Sequence, residues 1–162
     1  MDEVKLQEEP NPYYRWSQRG VTPVDQVTRL RRSVSFYGGI FQSNGKHLGY
    51  QCDWQNSNET CQFLDQVAKY HRDQRTTRPI LLIWDNASWH KSKRVKQWLK
   101  DNPGIVKLMN FPPYSPNLNP QEHVWKLLRQ HLSTFTETYA FSEIVDKACH
   151  FLRTNTFKFK LI

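Results

Sequence analysis

Residues 79–86 read PILLIWDN: a short continuous apolar run that stops at an acid and an amide. A run of that length is typical of a strand buried on both faces. Residues 105–109 (IVKLM) have the same character. Between the two runs, residues 88–100 read as a helix with Val95, Trp98 and Leu99 turned inward, stopped by Pro103-Gly104. Asp85 therefore falls just past the carboxyl end of a buried strand, where open α/β sheets place their sites.

Working outward, Val4-Lys5-Leu6 alternates like the end of a strand. Residues 8–32 are polar, rich in Arg and broken by Pro10, Pro12, Gly20 and Pro23. Residues 33–42 (SVSFYGGIFQ) and 46–54 (KHLGYQCDW) flank the turn Ser43-Asn44-Gly45 and predict a hairpin. Ser57 is a candidate cap for a helix over 58–73, with Cys61, Leu64, Val67 and Ala68 at helical spacing. Two more helices are expected over 120–132 and 141–153, after the proline-rich loop FPPYSPNLNP at 111–120. A meander followed by alternating elements means a mixed α/β sheet with helices on its faces. An RNase H-like sheet matches that order.

The 162 residues suit one domain. Three cysteines (Cys52, Cys61, Cys149) make no disulfide framework, and no Cys/His group has zinc-finger spacing. No run approaches a membrane span and no signal peptide is apparent, so a cytoplasmic setting is expected. A net charge of +8 and a pI of about 9.5 favour a polyanionic partner.

Three carboxylates draw attention, each with a plain local alternative. Asp85-Asn86 is also good turn chemistry. Glu122 stands at the third helical position after Asn119-Pro120, an arrangement that also suits a capping box. Asp2, beside Glu3, reads locally as a solvated chain end. Prolines 112, 113, 116 and 120 would stiffen the loop that sets Glu122 in place.

Residues 83–92 (IWDNASWHKS), followed by 111–125 (FPPYSPNLNPQEHVW), resemble the second and third blocks of DDE-superfamily endonucleases, specifically bacterial insertion-sequence transposases of the mariner-related group. Asp2-Glu3-Val4 and Trp16-Ser17-x-Arg19-Gly20 resemble the first block. The resemblance implies that Asp2, Asp85 and Glu122 form an acidic triad holding two Mg²⁺ or Mn²⁺ ions. It implies metal-dependent DNA cleavage and strand transfer, double-stranded transposon ends and target DNA as partners, and a homo-oligomeric synapse. Between Asp85 and Glu122 lie 36 residues, slightly more than in the best-known members.

Around the triad, Asn86 and His90 are candidates to orient it or to touch phosphate. Lys91, Lys93, Arg94, Lys96 and Lys100 give the stretch 86–100 five cations and no acid, a face that suits phosphates. Arg15 and Arg19, with the cluster Arg29, Arg31 and Arg32, are further DNA-binding candidates. Trp16, Trp89 and Trp125 are candidates for stacking on bases, or for the core.

Relatives carry an N-terminal helix-turn-helix region that nothing here resembles. The first strand reads as cut short at Asp2. Residues 1–162 are therefore expected to be the catalytic domain alone, with an upstream helix-turn-helix polypeptide or fused segment as a partner in a prokaryotic, nucleoid-associated setting. Two other readings stay open: an inactive remnant that binds DNA non-specifically, and an RNase H-like nuclease.

Overall fold

A computed structural model of the chain describes residues 1–8, 18–20, 32–112, 115–133 and 140–159. Strands β1 (Asp2–Gln7), β2 (Ser33–Ile40) and β3 (His47–Cys52) form an antiparallel meander in the order β1-β2-β3. The β2–β3 turn needs its glycine. Gly45 has φ +72°, and a Cβ there would meet the Phe157 carbonyl oxygen at 2.9 Å.

Strands β4 (Ile80–Trp84) and β5 (Val106–Asn110) pair in parallel, in register from Ile80↔Val106 to Trp84↔Asn110. The Met1 nitrogen donates to the Ile83 carbonyl at 2.7 Å and joins the meander to the parallel pair. The architecture is mixed α/β and RNase H-like, with the strands divided between an antiparallel and a parallel sheet rather than joined in the one mixed sheet expected.

Four α-helices cover the strands: α1 (Ser57–Asp73), α2 (Lys93–Asp101), α3 (Pro120–Ser133) and α4 (Phe141–Thr154). Two expectations change. The cap of α1 is Asn56, not Ser57: its side chain accepts from the amides of Asn58 and Glu59. The single helix expected over 88–100 is broken. A 3₁₀ turn at Ser88–Lys91 gives way at Ser92, whose extended backbone (ψ 157°) lets Oγ cap α2 by accepting from Val95 N.

Side-chain alternation along β1 and β2 separates two cores. Val4, Leu6, Val34 and Phe36 pack with Val124, Trp125 and Leu128 of α3 and with Ala148 and Leu152 of α4. Tyr37 and Cys52 pack with Phe63, Leu64 and Val67 of α1, with Leu82 and Trp84 of β4, and with Val95 of α2. Double-sided burial of β4 and β5 does not hold. Leu82 and Trp84 are buried, but Leu81 is 50% and Met109 52% exposed, because no described element covers that side.

Candidate active site

Alternation along β1 sends its two acids to opposite faces. Asp2 lies on the Val4–Leu6 face, which carries α3, and Glu3 lies on the other. In register, Asp2 stands opposite Gly38 and Glu3 opposite Tyr37.

Asp2 is 9% exposed, and its Oδ2 has no hydrogen-bond partner. Burial, then the charge of Glu122, pushes its carboxyl up to about 7. Glu122 sits in the first turn of α3, close enough for that repulsion. Asn119 does cap this helix, its Oδ1 accepting from Gln121 N at 3.1 Å. The Glu122 N–H bonds the Asn119 carbonyl at 3.1 Å, and the Glu122 side chain is exposed.

The first turn of α3 is set by a buried polar contact beneath it. The Gln121 amide meets His47 Nε2 at 2.9 Å, and Gln121 is 1% exposed. Both pack on Gly38, where a Cβ would lie 2.5 Å from the Trp125 ring and 2.7 Å from Gln121 Nε2 and His47 Nε2. Only a glycine lets α3 come this close to the strand that pairs with Asp2. His47 Nδ1, Gln121 Oε1 and Trp125 Nε1 are buried without partners. Burial holds the His47 imidazole down at about 3, so it is neutral.

Asp85 follows β4, and its side chain is half exposed. It makes the turn anticipated for Asp-Asn, Oδ1 accepting from Ala87 N at 2.9 Å. The same oxygen pairs with His90 Nδ1 at 3.1 Å. The bond from His90 is the main reason that this carboxyl lies below its usual range. Asn86 turns away, Nδ2 donating to the Phe111 carbonyl at 3.2 Å, which ties the end of β4 to the chain leaving β5. Asp2, Glu3 and Asp85 all act on the charge of the Met1 amine, so the end of β4 lies beside the start of β1.

His90 is buried, and both its ring nitrogens face carboxylates. Nε2 lies 2.8 Å from Glu3 Oε1. The ring stacks on Trp84 at 4.4 Å and 7°. Burial opposes the imidazolium, but the hydrogen bonds to Asp85 and Glu3 outweigh it and raise His90 to about 9. Ligand atoms of Glu3, Asp85 and His90 lie within 4.8 Å of one another, the spacing of a metal cluster. A histidine that donates from both nitrogens has no lone pair for a metal, so this group is a hydrogen-bonded chain. Glu3 was missed by sequence reasoning. The available signal was its place one residue from Asp2, on the opposite face of a strand.

Lys91, Lys93, Arg94, Lys96 and Lys100 are all exposed. Lys93, Lys96 and Lys100 form one stripe of α2, while Arg94 lies beside the Cys61 thiol. Arg19 is exposed beside Gly20. Arg15, Arg29, Arg31 and Trp16 lie outside the described residues. Arg32 is bound by Glu8 through two bonds of 2.6 and 2.7 Å. Trp125, 1% exposed, belongs to the core, the commoner of the two places open to it from the sequence.

An antiparallel meander beside a parallel strand pair, with helices packed on the strands and acids at adjoining strand and helix ends, defines an RNase H-like fold. Residues 1–144 match the DDE superfamily endonuclease family, and the chain belongs to it. It is 27% identical over 155 residues to the insertion element IS630 uncharacterized 39 kDa protein of Shigella sonnei, covering 94% of this chain and 43% of that protein. Over 55 residues it is 40% identical to the transposable element Tcb2 transposase of Caenorhabditis briggsae, covering 34% of this chain and 19% of that one. Among solved structures it is similar to the Mos1 transposase paired-end complex with left transposon end (TM-score 0.70, 15% identity, 97% of this chain, 48% of that one). The catalytic domain of Mos1 mariner transposase is also similar (TM-score 0.58, 12% identity, 97% of this chain, 72% of that one). The chain thus spans less than half the length of the insertion-element relative.

Proposed function

We propose that this chain is the catalytic core of a transposase that cuts and joins DNA with divalent metal ions. Asp2, Asp85 and Glu122 are the residues that would hold the ions. The observation that carries the reading is Asp2 Oδ2: a buried carboxylate oxygen without a partner, set against a second acid, Glu122. Such an arrangement is costly unless a cation joins it. All-oxygen donors suit Mg²⁺ or Mn²⁺. When bound, a pair of such ions supplies charge stabilisation to both the attacking and the leaving oxygen of an in-line displacement.

The protein's own share is placement. The Asn119 cap and the Gln121–His47 contact seat the first turn of α3, and with it Glu122. The Ala87 and His90 bonds hold Asp85. The Lys93–Lys96–Lys100 stripe, with Lys91 and Arg19, offers charge to the backbone phosphates of double-stranded DNA. Membership of the family and the likeness to transposase–DNA complexes support this reading. We also read residues 1–162 as one catalytic domain working in a homo-oligomeric synapse, with end recognition supplied by a helix-turn-helix segment outside this sequence. No described helix is long and apolar enough to cross a membrane, and a nucleoid-associated, cytoplasmic protein fits the proposal.

The test is nicking of supercoiled DNA by the purified chain with Mg²⁺ or Mn²⁺. Asp85→Asn and Glu122→Gln should each lower the rate at least about 100-fold with the fold intact, the scale seen when one preorganised charge contact is lost. Undiminished nicking by both variants would refute the assignment. DNA binding without carboxylate-dependent nicking would mark the chain as an inactive remnant.

A further inference from the structure

We propose that Glu3 is a positioning residue of the active site: it anchors His90, and His90 holds the Asp85 carboxylate through Oδ1. The proposal rests on the reading of Asp85 as a metal ligand and adds a residue to it. Glu3 comes from β1, His90 from the 3₁₀ turn Ser88–Lys91, and Asp85 from the end of β4. Glu3 and His90 are 87 residues apart in sequence, yet their side chains are only 4% and 1% exposed where they meet at 2.8 Å.

The need for an anchor follows from where Asp85 stands. It is half exposed, on the turn after a strand rather than in the sheet. One bond, from Ala87 N, would leave its carboxylate free to swing. His90 Nδ1 faces the same oxygen at 3.1 Å as an ion pair and hydrogen-bonds the Asp85 main-chain carbonyl at 3.4 Å, so it restrains both the carboxylate and the backbone of the turn. His90 can serve only if its own ring is fixed. Trp84 fixes its plane by stacking at 4.4 Å, and Glu3 fixes its rotation by accepting from Nε2. Trp89 Nε1 lies 3.5 Å from the same Glu3 oxygen and limits where that oxygen can move.

Glu3 is not placed to bind the ion itself. Its Oε1 is occupied by His90, its side chain is 4% exposed, and it lies on the face of β1 opposite Asp2. The distinction has a chemical handle. A glutamine at this position still accepts from Nε2, whereas a ligand carboxylate cannot be replaced by an amide without loss.

The whole chain should be compared with Glu3→Gln and Glu3→Ala in two arms. In the first, without metal, NMR reads the Asp85 side-chain carboxyl carbon and the exchange protection of the Ala87 amide. Glu3→Ala should shift and broaden the Asp85 resonance and lower Ala87 protection at least about 10-fold, and Glu3→Gln should restore both. In the second, Mn²⁺ affinity should fall about 10- to 100-fold in Glu3→Ala and stay within about 3-fold in Glu3→Gln. Where Glu3→Ala does not fold, Glu3→Leu fills the space without an acceptor and answers the same question. An unchanged Asp85 resonance and Ala87 amide in the folded Ala or Leu variant would overturn the proposal. Equal loss of Mn²⁺ in Gln and Ala would overturn it too, since Glu3 would then be a ligand. Wild-type chain that binds no Mn²⁺ through Asp85 would instead overturn the functional reading, while the first arm still decides the anchoring.

Discussion

Asp2 and Glu3 are neighbours on one strand, and their surroundings differ completely. Asp2 faces α3 with an unpartnered oxygen and a repelling Glu122, so its carboxyl is held near neutrality. Glu3 faces the 3₁₀ turn and is bonded to a charged histidine. One face of β1 keeps negative charge uncompensated, and the other neutralises it. The contrast separates a carboxylate with an unpartnered oxygen from one that braces the structure. Sequence position alone cannot do so, because the two are adjacent.

The contrast breaks most sharply in stability. Glu3→Ala leaves a buried imidazolium short of a partner and should cost about 3–5 kcal/mol in urea unfolding at pH 7. Asp2→Asn removes a buried, repelled charge and should stabilise the metal-free chain at pH 8 by about 1–3 kcal/mol. Destabilisation by both would show that Asp2 is an ordinary structural acid.

The pH dependence follows with its sign. Asp2, raised to about 7, favours the fold when protonated, and that contribution is lost as pH rises from the ordinary carboxylate range through about 7. His90, raised to about 9, contributes fully below the ordinary imidazole value and loses its contribution as pH rises through about 9. Asp85, lowered by His90, loses its contribution only when pH falls below the usual carboxylate range. The Asp2 and His90 contributions therefore fall together by about 5–6 kcal/mol between pH 5 and pH 9, while the Met1 amine, held down at about 6, and His47, held down at about 3, gain stability over the lower part of that range and offset much of the fall. Added Mg²⁺ should stabilise more at pH 8 than at pH 5, because Asp2 must lose its proton to bind it. Thermal melts of the wild type and Asp2→Asn across that range, with and without Mg²⁺, check both statements; a difference between the two metal-free chains that does not change with pH would contradict the Asp2 environment.

Gly38→Ala tests the Asp2 face from below. Its Cβ would lie 2.5 Å from Trp125 and 2.7 Å from Gln121, so α3 must lift away from the sheet. The expected cost is about 1–3 kcal/mol, with loss of nicking beyond what stability explains. The smallest effect is on the surface. Replacing Lys93, Lys96 and Lys100 with alanine should leave stability nearly unchanged and reduce the salt dependence of DNA binding by up to about 0.9 per lost phosphate contact. An unchanged slope would place the DNA elsewhere.

Much of this frame was legible in the sequence. The strands, the hairpin and the last two helices follow from apolar runs, a turn signal and helical spacing, which are local properties. Asp85 and Glu122 were legible because each ends or starts an element within a distinctive block. The break at Ser92 was not. Trp89 and His90 satisfy helical composition, and only the tertiary bonds of His90 to Glu3 and Asp85 draw residues 88–91 out of the helix. The exposed side of β4 was not legible either, since an apolar run does not say whether a covering element exists. Glu3 escaped notice because its partner lies 87 residues away and no spacing rule links them.

The most direct test of the central claim is Mn²⁺ binding by calorimetry to the whole chain at pH 8, set beside Asp2→Asn, Asp85→Asn and Glu122→Gln. The expected result is saturable binding that each substitution weakens at least about 10-fold, with proton release in the wild type. Binding that survives all three substitutions, or none in the wild type, would contradict it.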